Sequence, residues 1–421
     1  MRALAGRARA VWAALADGER DALLYLVSAA FTLGFALQTG EFAHRQWAWL
    51  ALPGYVIAAP WARWAGNRGP TARMHLTCFV FLAAAVVPLI VEVRWRHAGM
   101  TASAQPEVDV IERTGHLLSQ GRSPYQSYFH EGVLVHGVPG RPQWLSFFPY
   151  LPLMAVFGLP SAGVDAPTPL SDARIAMTAA TVAVVVLSLW LAPVPPGTKV
   201  RLAQLLLALP TGALFLATGG DDMPVLALML LSVVMWQRRW WVGAGFSLGL
   251  AASLKLTAWP MVLAVLVAGI ACGERRARRT AGLAGLIVAA TVAPFALHNP
   301  RAAAANVIAY PLGMTGAGSP AASALPGHLL HLAAPDLTPL TLATAVAVWM
   351  FVQARHLRQG WPPTLAQRLI LAGSAMLVLM CAAPATRFGY LIYPVNLAAW
   401  GYAVAQATTP ALGWRGAAGH G

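Results

Sequence analysis

The sequence predicts an all-α polytopic membrane protein with about twelve transmembrane helices. Of its 421 residues 58% are hydrophobic and only 10% are charged, whereas about a quarter of a soluble globular domain is charged. Mean hydropathy is +0.60. The apolar residues gather into segments near the ~17–25 residues that a helix needs to cross a hydrocarbon core of roughly 30 Å. They lie at 22–39, 46–62, 74–93, 172–192, 202–218, 223–237, 240–254, 256–272, 281–297, 338–354, 369–384 and 389–406. Several are short, which predicts tilted, broken or re-entrant helices.

The first 73 residues read as a basic segment followed by a two-helix addition. No cleavage site follows the apolar run 23–37, so that run is expected to stay as the first span. The formal charge of +14 does not point to nucleic acid, because no basic run is interleaved with aromatics. The basic residues sit in short clusters between apolar segments, as topology signals do. With the N-terminus inside, the inner loops carry Arg2, Arg7, Arg9 and Arg20; Arg63, Arg68 and Arg73; Lys199 and Arg201; Arg238 and Arg239; Arg275, Arg276, Arg278 and Arg279; Arg355, Arg358 and Arg368; and Arg415. Every inner loop then obeys the positive-inside rule, which predicts a plasma-membrane protein with both termini cytoplasmic.

A core of 74–421 follows, with two long outer loops at 94–144 and 298–337. Between the first loop and the next span, Leu145–Leu159 is apolar but short and carries Pro149 and Pro152. Were it to cross, the Lys199/Arg201 and Arg238/Arg239 loops would face outward, so 145–160 is read as an interfacial or half-inserted helix. Of the acidic residues, only Asp17, Glu19, Asp21 and Glu274 fall inside. Any chemistry is therefore expected on the outer face.

No nucleotide-binding signature is present. GAGFSLG at 243–249 lies within an apolar span, and GMTGAGSP at 313–320 lacks the Lys-Ser or Lys-Thr of a P-loop. Cys78, Cys272 and Cys381 are far apart and read as small core residues. His328, His331 and Asp336 form no complete metal set; no cofactor is firmly implied, and the sequence leaves a divalent metal open.

The outer-face residues are the candidates for chemistry. Asp109 opens a polar stretch in the first outer loop, where a base could reach an acceptor hydroxyl; a carboxylate at a solvated helix N-terminus explains it as well. Glu112, three residues on, shares its helical face and could hold a polar acceptor. Asp221 and Asp222, in TGGDDMP, stand where one span ends and the next begins. A cap accounts for Asp222, with Pro224 in the first turn, but two adjacent carboxylates exceed what a cap requires. Lys255 joins two short apolar arms, where a cation costs on the order of 3 kcal/mol unless it snorkels or pairs. Arg387 lies beside Tyr390 and Tyr393, placed either to clamp a phosphate or to anchor a helix end.

In order and spacing, Asp109-Val110, GHLLSQGRSPY ending at Tyr125, FFPYLPLMAVFGLP, TGGDDMPVLALMLLS, GFSLGLAASLKLTAWP and AAPATRFGYLIYP resemble the polyprenol-phosphate-dependent mannosyltransferases of glycosyltransferase family 87, of GT-C fold. The resemblance spans about residues 90–400. It departs from the family pattern at Glu112, where an aromatic is usual, at the Asp221-Asp222 pair, and at Lys255-Leu256-Thr257. It implies a sugar delivered as polyprenyl-phosphate-sugar to a lipid or glycan acceptor, with inversion. Asp109 would be the base, Lys255 and Arg387 would receive the phosphate, and Glu112, Tyr125, Asp221, Asp222 and Tyr390 would line the substrate site. The main alternative class is a transporter or flippase of a lipid-linked or polar substrate. Against it stand the absence of an internal repeat and the gathering of polar residues at one surface rather than at mid-membrane.

Overall fold

A computed structural model of the chain describes residues 12, 14–163, 168–358 and 364–408. Arg2, Arg7, Arg9 and Arg415, which contribute to the topology reading, lie outside them. Helices occupy all twelve apolar segments. They are α1 (Asp17–Gln38), α2 (Phe42–Asn67), α3 (Pro70–His97), the polar α4 (Pro106–Ser119), α5 (Ala173–Leu191), α6 (Pro196–Thr218), α7 (Asp222–Gln237), α8 (Trp241–Leu254), α9 (Trp259–Ala271), α10 (Arg275–His298), α11 (Thr338–Leu357), α12 (Leu365–Ala382) and α13 (Ile392–Thr408).

The protein is a multi-pass membrane protein. Among the described residues, seven helices are long and apolar enough to cross a bilayer: α1, α3, α5, α6, α10, the 335–355 stretch that contains most of α11, and α12. Helices α7, α8 and α9 are shorter, at 16, 14 and 13 residues. At ~1.5 Å per residue each falls short of the full core thickness, and each ends at a polar turn. Helix α6 lies at the centre, with 67% of its apolar window buried, and the 335–355 helix at the rim, with 6%.

Two π-helical turns fix how the N-terminal pair docks. Such turns leave a carbonyl without its helical partner. The turn at Leu82–Val86 in α3 presents Ala84 O to the Trp47 indole N–H at 2.8 Å, and the turn at Gln204–Ala208 in α6 presents Ala208 O to the Tyr55 hydroxyl at 2.7 Å. Both donors come from α2. Gly18 and Gly66 let α1 and α2 touch backbone to backbone, because a Cβ on Gly66 would fall 2.3 Å from the Gly18 Cα. At that end of the bundle Asp17 and Asp21 pair with Arg73 and Arg201. Helices α1 and α2 are thus welded into the bundle by aromatic donors and ion pairs.

The opposite end, where α6 finishes, carries α4, a short antiparallel hairpin of β1 (Tyr128–His130) with β2 (Val133–Val135), and the loops 298–337 and 383–391. The 145–160 segment is not one continuous helix. It forms 3-10 turns at Gln143–Ser146 and Pro152–Gly158 and one helical turn at Leu159–Ala162. Pro149 and Pro152 account for the interruption. Phe147, Phe148, Tyr150, Leu151 and Met154 are buried in the protein. Gly158 seats this segment on α4, since a Cβ there would meet Ile111 O at 2.1 Å.

Candidate active site

Three chain turns and the start of α4 converge at this end. Helix α4 begins at Pro106, a favourable first position, and is stapled to the end of α6: Gln105 N donates to Thr218 O at 2.8 Å, and Gln105 Nε2 to Thr218 Oγ1 at 2.6 Å. Gly219 follows at φ +100°, a conformation that favours glycine. It turns the chain so that Asp221 and Asp222 lie beneath Glu107. Helix α8 ends in extended backbone at Lys255, and Leu254 O accepts from Leu151 N at 3.0 Å, which draws Tyr150 to the lysine. The loop bearing Arg387 is tied to the 298–337 loop by Thr386 N to Ala321 O at 2.8 Å and Ser323 N to Thr386 O at 2.9 Å.

The result is a linked set of five charges. Lys255 Nζ donates to Asp221 Oδ1 at 3.0 Å and to Asp222 Oδ1 at 2.5 Å, with the rings of Tyr150 and Tyr390 at 5.4 and 5.2 Å. A third ammonium proton has no hydrogen-bond partner among the described residues. Arg387 Nη1 donates to Glu107 Oε1 at 2.6 Å. The Tyr393 hydroxyl donates to Asp222 Oδ1 at 2.7 Å and accepts from Thr257 Oγ1 at 2.6 Å. Two buried carboxylate oxygens, Glu107 Oε2 and Asp221 Oδ2, accept no hydrogen bond among the described residues. Burial raises the Asp221 carboxyl to about 7, with Lys255 opposing the rise and Asp222 and Glu107 adding to it.

A cavity of about 260 Å³ adjoins these groups, with Glu107, Lys255, Arg387, Tyr150 and Tyr390 along its polar side. Its other walls are mostly apolar and include Leu256, Pro260, Met376, Leu379 and Met380. A pocket of about 30 Å³ continues from it between Glu107, Asp221 and Lys255.

The structure gathers Asp221, Asp222, Lys255, Arg387 and Tyr390 in one place. Asp109 and Glu112 stand elsewhere, on another face of α4. Arg96 Nη2 reaches Asp109 Oδ1 and Glu112 Oε2, each at 2.6 Å, and Arg96 Nη1 reaches Asp172 Oδ2 at 2.9 Å. Glu112 Oε1 also accepts from Ala173 N, at the start of α5. Burial would raise the Asp172 carboxyl, but Arg174 and Arg96 outweigh it and hold it at about 2. Asp109 lines none of the cavities described above. Tyr125 is buried, its hydroxyl donating to Tyr150 O at 2.8 Å, so it braces the site from behind.

Sequence reasoning passed over Glu107 as a functional residue, together with Tyr150, Thr257 and Tyr393. The signal for Glu107 is helical phase: 107, 110, 111, 114 and 118 form one stripe of α4, whose other members are Val110, Ile111, Thr114 and Leu118. An acid on the apolar stripe points inward.

A family model described as glycosyltransferase family 87 matches residues 148–384, more than half of the chain. The match takes in Asp221, Asp222 and Lys255, while Glu107 and Arg387 lie outside it. No curated protein and no solved structure matches the chain.

Proposed function

The chain belongs to glycosyltransferase family 87, and from that membership we propose that it moves a sugar, mannose first among candidates, from a polyprenyl-phosphate donor to a lipid or glycan acceptor on the extracytoplasmic face. The observation that carries this reading is the cavity wall: a carboxylate with a free oxygen and two cations on one side, and apolar residues fit for an isoprenoid on the other.

In this reading the base is Glu107 and not Asp109. Glu107 Oε2 takes the acceptor proton while the acceptor oxygen attacks the anomeric carbon and the bond to phosphate breaks on the opposite side. A single displacement of this kind inverts the anomeric centre. The departing phosphate gains charge beside Lys255, which has one ammonium proton unused, and Arg387, whose Nη2 and Nε have no partner among the described residues. In a site shielded from water such fixed cations stabilise developing charge strongly. Arg387 holds Glu107 by one oxygen and leaves the other for the acceptor. The five less apolar or shorter helices cross the membrane with the seven long ones, and the positive-inside rule puts the site outside.

The test is transfer of labelled mannose from polyprenyl phosphate to membrane acceptors, comparing wild type with Glu107→Gln and Asp109→Asn at matched expression. Loss of transfer in Glu107→Gln alone supports the reading. Equal transfer by wild type and Glu107→Gln refutes the assignment of the base, and no transfer with any donor sugar refutes the donor class.

A further inference from the structure

The two aspartates bound to Lys255 are not equivalent. Asp222 Oδ1 accepts from both Lys255 and Tyr393, whereas Asp221 is 3% exposed and its Oδ2 is buried without a partner. Asp221 lines the small pocket together with Glu107, whose Oε2 is likewise buried and unpartnered among the described residues. Three carboxylates, those of Glu107, Asp221 and Asp222, here face two cations, Lys255 and Arg387. With all five groups ionised the site carries one excess negative charge. An anionic donor would add a second beside carboxylates that are themselves buried, where such repulsion is costly.

We propose that the donor enters with a proton, held on Asp221 at Oδ2, so that the site binds its anion without accumulating charge. This rests on the reading of an anionic phosphodiester donor given above, and it makes Asp221 the residue that links affinity to pH. The groups packed around Asp221 leave it as the place for that proton. Lys255, at the end of α8, is held charged: burial opposes its ionisation, but Asp221 and Asp222 outweigh that and raise its pKa. Asp222 on α7 is committed to Lys255 and Tyr393. Glu107 on α4 is held by Arg387 from the 383–391 loop. Tyr150 and Tyr390 present ring faces to the lysine. Arg174, which lies under the Gly219 turn, is neutralised by Asp172. His44 on α2 meets Gln105 instead. The raised Asp221 carboxyl agrees in sign: the proton is present below about pH 7 and must be taken up above it.

The probe is polyprenyl methyl phosphate, a diester with one fixed negative charge, titrated into the detergent-solubilised full chain. For wild type the Kd should rise about tenfold per pH unit above about pH 7, the slope of one linked proton. Calorimetry in two buffers of different ionisation enthalpy should then show uptake approaching one proton per ligand at about pH 8. In Asp221→Asn the slope should vanish, while Asp222→Asn should keep it. A wild-type affinity flat with pH, no proton uptake, or a slope that persists in Asp221→Asn and vanishes in Glu107→Gln would each overturn the proposal. The wild-type calorimetry decides the matter even if Asp221→Asn fails to fold. Flat binding overturns this inference alone, whereas no binding at any pH overturns it together with the anionic donor.

Discussion

Helix α4 sends carboxylates into two charge clusters that differ in what they leave unpaired. On one face Asp109 and Glu112 share Arg96 with Asp172, and Arg174 completes the set. On another, Glu107 meets Arg387 beside Asp221, Asp222 and Lys255. Both clusters are rich in ions at the same end of the bundle. The first joins α3, α4 and α5; Glu92, which has no hydrogen-bond partner among the described residues, stands 3.6 Å from Arg174 and lines neither of the cavities described above. The second leaves two carboxylate oxygens and several cationic protons uncommitted beside a cavity. Ion pairing alone therefore does not mark a reaction site. What marks it is unspent hydrogen-bonding capacity facing space that a substrate can fill.

The comparison breaks most visibly in transfer rates. Glu107→Gln should lower transfer by about 100- to 10,000-fold, the range for loss of a general base, whereas Asp109→Asn should lower it by less than about tenfold because Asp109 is partly exposed and its side chain pairs with Arg96 alone among the described residues. Labelled-sugar transfer at matched expression measures both, and the reverse ranking would return the base to Asp109.

Stability gives the next largest effect. Lys255→Met strands two buried carboxylates and should cost about 3–5 kcal/mol, as removal of one partner of a buried pair does. Adding Asp221→Asn and Asp222→Asn to it should recover most of that loss in a thermal melt, yet leave transfer abolished. Arg96→Ala should cost about 1–3 kcal/mol through the hydrogen bonds it strips from Glu112 and Asp109. Its folded fraction should keep kcat within about threefold, because Arg174 still holds Asp172. A large fall in kcat for Arg96→Ala would erase the distinction between the clusters.

Much of this was legible in the sequence, for a physical reason. Charge inside an apolar chain is expensive, so Lys255, Asp221, Asp222 and Arg387 stood out, and the structure brings all four together. The helices were legible from apolar runs, including α7, α8 and α9, whose shortness foretold the polar turns at their ends. Glu107 was not, because three acids lie within six residues of one amphipathic helix and only its phase separates the one beside the cavity from the two that meet Arg96. The 145–160 segment was read as an interfacial or half-inserted helix; Pro149 and Pro152 instead break it into short turns, and its burial in the protein depends on the Gly158 contact with α4, which composition does not report. Tyr150, Thr257 and Tyr393 were hidden because aromatic and hydroxyl residues are common in membrane helices, and their role is set by partners far away in the chain.

Tyr393 offers the finest test of the comparison, since it touches the second cluster without being one of its ions. Its hydroxyl donates to Asp222 Oδ1 and accepts from Thr257 Oγ1, a residue that lines the cavity. Removing the hydroxyl deprives Asp222 of one donor and leaves Lys255 as its remaining anchor, with the ring still buried. Tyr393→Phe should therefore cost about 1 kcal/mol of stability. It should also loosen the Asp222 carboxylate against which Lys255 is set, lowering kcat by a few-fold while donor KM changes little, because the resting charge is unaltered. Thr257→Val, which removes the donor to Tyr393 but keeps the Tyr393–Asp222 bond, should change kcat less than Tyr393→Phe does. If the two variants shift kcat equally, the chain from cavity to Asp222 acts as one unit; if neither shifts it, Asp222 and Lys255 are held by the ion pair alone.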